Sequence, residues 1–262
     1  MPWIDLGYWA VLVLGGLACG LINTLASSGS AVSLPLMVAL GMPDGIANAT
    51  NRLPVLVGGM MASWTFARKH QVDWRAALIL APPALIGSVV GVRCAELLGN
   101  REMGLLITGA VMVALLLLFT KVKVALSRVL EKPPQISFRA ILLMFFVGLW
   151  LGLIVLDGAT YLMLVLILIC GYQLAPANAL KSIILAVTTL VPVALFWEAG
   201  DILWTEGIVM AGGSVVGGHI GAGLSSHVKA RVWTFRILVV VISLELVHLL
   251  WHYTATLRVA AS

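Results

Sequence analysis

Long runs of apolar residues alternate with short polar loops along the whole chain. The runs cover residues 6–26, 31–41, 44–67, 74–97 and 102–120, and they resume after a charged segment at 140–156, 158–171, 175–197, 205–225 and 232–252. A helix needs about 20 residues to cross a hydrocarbon core of ~30 Å. The pattern therefore predicts an all-α polytopic membrane protein. Each half is expected to hold about five transmembrane segments, and the second of them is short or broken.

The second set of segments repeats the first at a constant offset of 130 residues. Asn48 aligns with Asn178, Trp74 with Trp204 and Gly87 with Gly217. Internal repeats are typical of secondary transporters, which bind substrate where the two repeats meet. We therefore divide the chain into a first membrane repeat (1–120), a linker (121–139) and a second membrane repeat (140–262).

Loop charges indicate that the two repeats have opposite orientations in the membrane. Loop 68–75 reads RKHQVDWR and is basic, whereas its copy at 198–204 reads EAGDILW and is acidic. One loop later the bias is reversed, because residues 99–102 are nearly neutral and residues 226–231 are basic. Cytoplasmic loops carry the excess of Lys and Arg. The sequence predicts inverted-topology repeats, with both termini outside and a cytoplasmic linker.

Composition supports the membrane assignment and argues against other partners. Apolar residues make up 61% of the chain and charged residues only 10%, against about 25% charged residues in soluble domains. The 16 Lys and Arg residues lie mostly in short loops, so no nucleic-acid partner is expected. No P-loop, cofactor motif or metal site is predicted. The expected partners are a small anion and the lipid bilayer, and a homodimer is left open.

A polar run at residues 23–30, NTLASSGS, interrupts the first apolar region. Small polar residues cannot face lipid without hydrogen-bond partners, and Gly and Ser let the backbone bend. The run predicts a broken helix or hairpin whose free N–H groups line an anion-binding cavity. A tight helix–helix contact is the alternative. The candidate substrate-binding residues here are Asn23, Ser28, Gly29 and Ser30.

The second copy of this run contains a carboxylate, Asp157, between two long apolar segments. An ionisable residue inside a membrane is a candidate for function by default. Asp157 is expected to carry a coupling proton. It would otherwise form an ion pair with Lys181 or Arg52, or lie at the membrane interface.

Each repeat also offers one cation about one turn into a helix. Residues 48–52 read NATNR, and their copies at 178–182 read NALKS. The planar guanidinium of Arg suits two-point contact with an oxyanion, and Lys acts as a point charge. The alternative is that both side chains reach the headgroup layer. The pattern predicts an oxyanion site formed by Asn48, Thr50, Asn51, Arg52, Asn178, Lys181 and Ser182.

The run NTLASSGSAVSLPLMVALGMPDGIANATNRLPVLVGG, together with ANALKS in the second half, resembles the two repeats of the TauE/SafE family of sulfite-exporter-like transporters. The resemblance covers essentially the whole chain. It implies transport of sulfite, thiosulfate, sulfonates or related organic anions across the bacterial inner membrane, with export as the direction. The motif positions that it carries over are Asn23, Ser28, Gly29, Ser30, Pro35, Asn48, Thr50, Asn51, Arg52, Asn178 and Lys181.

The sequence thus predicts a secondary transporter that exports a small anion by alternating access, coupled to protons. A passive anion channel is the first alternative. An intramembrane hydrolase is the second, with Ser28 or Ser30 as nucleophile and His219 as base.

Overall fold

The computed structural model describes residues 2–99, 101–109, 134–156 and 158–225, and all regular structure in these ranges is helical. The first half contains α1 (Pro2–Ala26), α2 (Ser30–Ala39), α3 (Asp44–Thr50), α4 (Arg52–Arg68) and α5 (Trp74–Glu96). The second contains α6 (Phe138–Leu153), α7 (Gly158–Leu164) with a π-helical extension (Val165–Ile169), α8 (Leu174–Ala199) and α9 (Trp204–Leu224). Residues 101–109 are helical as well. Asp157 and the predicted segment 232–252 lie outside the described residues.

Within the described ranges, four helices are long and apolar enough to cross a membrane: Leu6–Ala26, Trp74–Glu96, Leu174–Ala199 and Trp204–Leu224. Helix α2 has only 10 residues, which corresponds to about 15 Å, or half of a hydrocarbon core. The prediction of a short second segment in the first half is therefore confirmed.

Helix α2 folds back along α1. The Ser33 hydroxyl lies 3.3 Å from the Cys19 sulfur, and a Cβ added to Gly15 would lie 2.4 Å from a methyl group of Leu36. Later residues of α2 thus contact earlier residues of α1, so the two helices are antiparallel. Residues 27–29 form the tip of this first hairpin, where Ser27 adopts a left-handed φ of 61°. The predicted break in the helix is confirmed.

A second hairpin is formed by α6 and α7. The rings of Trp150 and Tyr161 meet edge to face at 5.8 Å. At the far end, the Gln135 N–H donates to the Cys170 carbonyl at 2.8 Å. Helix α7 and its π-helical extension therefore return along α6, and residues 154–156 belong to the tip of this second hairpin.

Glycines bring each hairpin close to a long helix. A Cβ on Gly16 would lie 1.9 Å from the Met210 carbonyl oxygen, and a Cβ on Gly148 would lie 1.9 Å from that of Ala84. Further along α1 and its partner helix, a Cβ on Gly20 would lie 2.3 Å from the Ser214 carbonyl oxygen. Residue numbers rise together along both pairs of helices, so α1 is parallel to α9 and α6 is parallel to α5. Close contacts at small residues are typical of helix packing in membranes.

Helix α4 packs between α9 and α8. It is parallel to α9, since Leu53 lies beside Gly207 near one end and Lys69, directly after α4, contacts Ala222 at the other. It is antiparallel to α8: Arg52 lies over the Phe196 ring, whereas Gly59 lies beside Ser182 and Ala186.

Helix α8 is in turn parallel to α5, because Tyr172 contacts Asp73 and Thr188 contacts Ser88. Helices α1, α4 and α9 therefore run one way and α5, α6 and α8 the other. The two hairpins consequently enter the helical bundle from opposite ends.

One predicted segment, 44–67, is divided by Asn51 into α3 and α4. Pro54 explains the division, because it has no N–H to donate to the Thr50 carbonyl. The equivalent position in the second half is Ile184, and α8 is continuous there.

Candidate functional site

The tips of the two hairpins contact each other through hydroxyl groups. The Ser28 hydroxyl lies 3.1 Å from that of Thr160, which donates to the Ser27 carbonyl at 2.8 Å. The Ser30 hydroxyl donates to the Val155 carbonyl at 3.0 Å. The predicted residues Ser28 and Ser30 thus belong to one polar network shared by both halves. Thr160 was not predicted, although it aligns with Ser30 at the 130-residue offset.

Two asparagines each hold the hairpin tip of the opposite half. Asn48, from the first half, donates through Nδ2 to the Leu153 carbonyl at 3.1 Å and accepts through Oδ1 from the Val155 N–H at 3.4 Å. Asn178, from the second half, donates to the Thr24 carbonyl at 2.8 Å. The alignment of these asparagines in sequence therefore corresponds to equivalent contacts in the structure.

The two predicted cations also cross between the halves. Lys181 donates to the Asn23 carbonyl at 2.7 Å and to the Ser27 hydroxyl at 3.2 Å. Arg52 donates to the carbonyls of Leu151 and Gly152. Carbonyls in the last turn of a helix carry partial negative charge, and the Asn23 carbonyl accepts from the Ser27 N–H at 3.0 Å as well. Each cation therefore caps the end of the broken helix in the other half.

Both cations are enclosed by protein. Arg52 and Lys181 are each 1% exposed, so the alternative that both reach the headgroup layer is wrong. Among the described residues the ion pair found is Arg93–Glu96, which includes neither cation.

Three buried polar atoms close to these contacts have no hydrogen-bond partner among the described residues. They are Asn51 Nδ2, Arg52 Nε and Asn178 Oδ1. The Asn51 amide is held by its other atom, since Oδ1 accepts from the Ser33 hydroxyl at 2.6 Å. Leaving a buried polar group unpaired costs about 1–3 kcal/mol. Two buried donors on adjacent residues thus have no acceptor among the described residues.

The unpaired oxygen of Asn178 has a structural cause. Asn48 Oδ1 accepts from Val155 N–H because α6 ends at Leu153 and leaves that N–H free. The equivalent N–H in the first half belongs to Leu25, which is still inside α1. The two hairpins therefore break at positions that differ by one turn.

The remaining predicted residues make contacts of other kinds. Thr50 accepts from the Leu203 N–H at 3.0 Å, and Ser182 donates to the Asn178 carbonyl at 2.9 Å. Gly29 lies against α1, because a Cβ there would be 2.0 Å from the Cys19 carbonyl. Asn23 contributes its backbone carbonyl to Lys181. The predicted proton-coupling residue Asp157 is outside the described residues.

Long apolar helices, two broken hairpins and a buried polar network between them define a multi-pass helical membrane protein of the transporter class. The chain belongs to the sulfite exporter TauE/SafE family, whose family model matches residues 12–247.

Similar proteins from three bacteria carry transporter names. A "Probable membrane transporter protein" of Haemophilus influenzae is 26% identical over 84% of this chain and 86% of its own length. The Escherichia coli K12 "Probable membrane transporter protein YfcA" is 23% identical over 82% of this chain and 79% of its own. A Sinorhizobium protein, "Probable membrane transporter protein ORF9", is 23% identical over 95% of both chains. No solved structure gives a significant match.

Proposed function

We propose that this protein is a secondary transporter for a small oxyanion, such as sulfite, a sulfonate or a related organic anion. The observation that carries the proposal is the pair of unpaired donors, Asn51 Nδ2 and Arg52 Nε, buried next to the hairpin tips. A buried cation with a free N–H, on the residue next to one with a free amide N–H, is suited to a ligand whose oxygen atoms carry negative charge.

The start of α2 places the positive end of a helix dipole at the proposed site. The N–H groups of Ala31, Val32 and Ser33 donate to the carbonyls of Ser28 and Gly29, so it is the dipole that attracts an anion there. Helix α2 begins at Ser30, and its Ser33 side chain holds Asn51 beside it. In the proposed site, Ser28, Gly29 and Ser30 contribute this helix start. Asn23, Asn48, Thr50, Asn178, Lys181 and Ser182 keep the tips and the surrounding helices in position.

The proposed mechanism is alternating access between two inverted repeats, residues 1–120 and 140–262. Its support is that equivalent helices run in opposite directions and that the hairpins enter from opposite ends of the bundle. We further propose export across the bacterial inner membrane, with Asp157 as the candidate carrier of a coupling proton.

Two alternatives make different predictions. A channel would show no counterflow, meaning no faster tracer entry into vesicles preloaded with unlabelled anion. A hydrolase would need a serine next to a base. Ser28 and Ser30 instead contact Thr160 and Val155, and His219 Nδ1 lies 3.3 Å from the Thr65 hydroxyl.

Calorimetric titration of the purified protein tests the site. Sulfite, thiosulfate, sulfoacetate and short carboxylates are titrated into the wild type, and the tightest binder is then used with variants. Arg52→Ala is expected to weaken binding by at least about 30-fold, since removing a buried charged partner costs about 2–5 kcal/mol. Asn51→Ala is expected to weaken it by about 5-fold or more. Arg101→Ala is the control, because Arg101 is exposed. Unchanged affinity in both site variants would overturn the assignment.

A further inference from the structure

The end of α1 presents several oxygen atoms around the Lys181 ammonium. The Asn23 carbonyl lies 2.7 Å from Nζ and the Ser27 hydroxyl lies 3.2 Å from it. The next carbonyl along the chain is that of Thr24, to which Asn178 Nδ2 donates at 2.8 Å. Backbone carbonyls at the broken ends of membrane helices are groups that bind monovalent cations in transporters. The oxygens at this helix end therefore have the chemistry of a cation site.

A further oxygen at the same place has no hydrogen-bond partner among the described residues. Asn178 Oδ1 is buried, with the residue only 5% exposed. Its amide nitrogen is held by Thr24, so Oδ1 lies at the same end of α1. Asn178 and Lys181 are also three residues apart on α8, which places them on one helical face. An acceptor that no N–H or O–H reaches is one that a cation would use.

We propose that the end of α1 is a monovalent-cation site that this chain fills with its own Lys181 ammonium. The cation replaced is of the size and charge of Na⁺ or a small ammonium ion. Among the described residues no carboxylate lies within ion-pair distance of Lys181. The attraction comes from the carbonyls at the negative end of α1 and from the Ser27 hydroxyl. A covalently attached cation makes a dissolved one unnecessary.

The end of α6, which is the equivalent helix end in the second half, differs in its cation and in its asparagine contacts. Arg52 reaches two carbonyls with its planar guanidinium, and the Asn48 oxygen already accepts from Val155. Among the described residues, that end therefore offers no free side-chain acceptor to a small cation. Arg52→Ala is consequently a matched control that removes a buried cation of the opposite half without creating the proposed site.

Thermal unfolding of purified Lys181→Ala in detergent tests the proposal without any anion substrate. Na⁺, K⁺ and methylammonium are compared with the bulky cation N-methyl-D-glucamine at one ionic strength. The Tm of Lys181→Ala is expected to rise by several degrees in at least one small cation, because a ligand that binds only the folded state stabilises it. The Tm of the wild type and of Arg52→Ala is expected not to respond.

Two more variants isolate the site. Lys181→Met fills the space of the lysine side chain with an uncharged side chain, and its Tm is expected not to respond to small cations. The double variant Lys181→Ala/Asn178→Ala removes the free oxygen and is expected to respond less than Lys181→Ala. If Lys181→Ala cannot be purified as folded protein, Lys181→Ser is measured in the same way, since its hydroxyl adds one oxygen atom to the proposed cation site. Indifference of Lys181→Ala and Lys181→Ser to all small cations, or a cation-dependent Tm in the wild type, would overturn the proposal.

One consequence rests on the proposed transport function: anion uptake by wild-type proteoliposomes is expected to be equal in Na⁺ and N-methyl-D-glucamine media. The Tm experiment does not depend on it. Failure of anion binding would therefore leave the cation site standing, and failure of the cation response would leave the anion site standing.

Discussion

The Tyr172 hydroxyl donates a 2.7 Å hydrogen bond to the Asp73 carboxylate, and this contact links the loop before α8 to the start of α5. Asp73 also caps α5, since its other oxygen accepts from the Ala76 N–H at 3.0 Å. The Ala76 N–H and then the Tyr172 hydroxyl lower the pKa of Asp73. Burial and the Asp73 contact raise the pKa of Tyr172, which keeps it a donor at neutral pH. The two halves are thus joined at one end of the bundle by a bond that needs a charged carboxylate for full strength.

The lowered pKa of Asp73 predicts how stability depends on pH. A carboxyl group whose pKa is lower in the folded state stabilises the protein above its unfolded-state value of about 3.9. That contribution is lost as the pH falls through the folded-state value. We expect the Tm of the wild type to decrease more steeply below about pH 4 than that of Asp73→Asn, whose amide does not titrate and whose single oxygen can keep one of the two hydrogen bonds. Parallel Tm curves for the two proteins down to pH 3 would contradict the prediction.

The two inter-half asparagines are predicted to contribute unequally to stability. Asn48→Ala removes two hydrogen bonds to the second hairpin, whereas Asn178→Ala removes one to the first. Hydrogen bonds between membrane helices are worth about 0.6 kcal/mol on average and at most about 1.7. We expect Asn48→Ala to lower the free energy of unfolding by about 1–3 kcal/mol and Asn178→Ala by about 1 kcal/mol or less. Unfolding in SDS titrations measures both, and an equal or reversed order would refute the asymmetry.

Several parts of the fold were predictable because the information is local in sequence. The break at Ser27 follows from a run of small polar residues that lipid does not tolerate. The close contacts of Gly87 and Gly91 with α6 are of the kind that glycines four residues apart indicate. The division at Asn51 depends on Pro54, which has no N–H. Comparison of the two repeats hides this signal, because Ile184 stands at the equivalent position in the second half.

The partners of the cations were not predictable in the same way. Arg52 and Lys181 were identified as buried functional residues from their positions in the repeat. Except for the Ser27 hydroxyl, their acceptors are the main-chain carbonyls of Leu151, Gly152 and Asn23. Every residue has a main-chain carbonyl, so the sequence does not show which one accepts. The fold-back of α2 also needs tertiary contacts, because a mostly apolar segment of ten residues is compatible with several paths through a membrane.

The geometry of Arg52 predicts that lysine cannot replace it. The guanidinium reaches the carbonyls of Leu151 and Gly152 through its two terminal nitrogens and leaves Nε free for the anion. A lysine ammonium is a single point donor and cannot serve all three positions. Arg52→Lys is expected to weaken anion binding by about 10-fold or more in calorimetric titrations, with less loss of Tm than in Arg52→Ala. Wild-type affinity in Arg52→Lys would show that charge alone is sufficient.

Matched glycine substitutions test the packing of the second hairpin on α5. A Cβ at Gly148 would lie 1.9 Å from the Ala84 carbonyl oxygen, so α6 and α5 must separate to admit a methyl group. Overpacking of this kind costs about 1–3 kcal/mol, and backbone contacts lie at the upper end. Gly212 is the control, because a Cβ there meets no other described atom within 4 Å. We expect Gly148→Ala to lower the Tm clearly and to weaken anion binding, since the Arg52 acceptors Leu151 and Gly152 are one turn away. Gly212→Ala is expected to leave both unchanged or to raise the Tm slightly through its better helix propensity. Equal Tm values for the two variants would mean that the close approach of α5 and α6 does not limit the position of the hairpin tip.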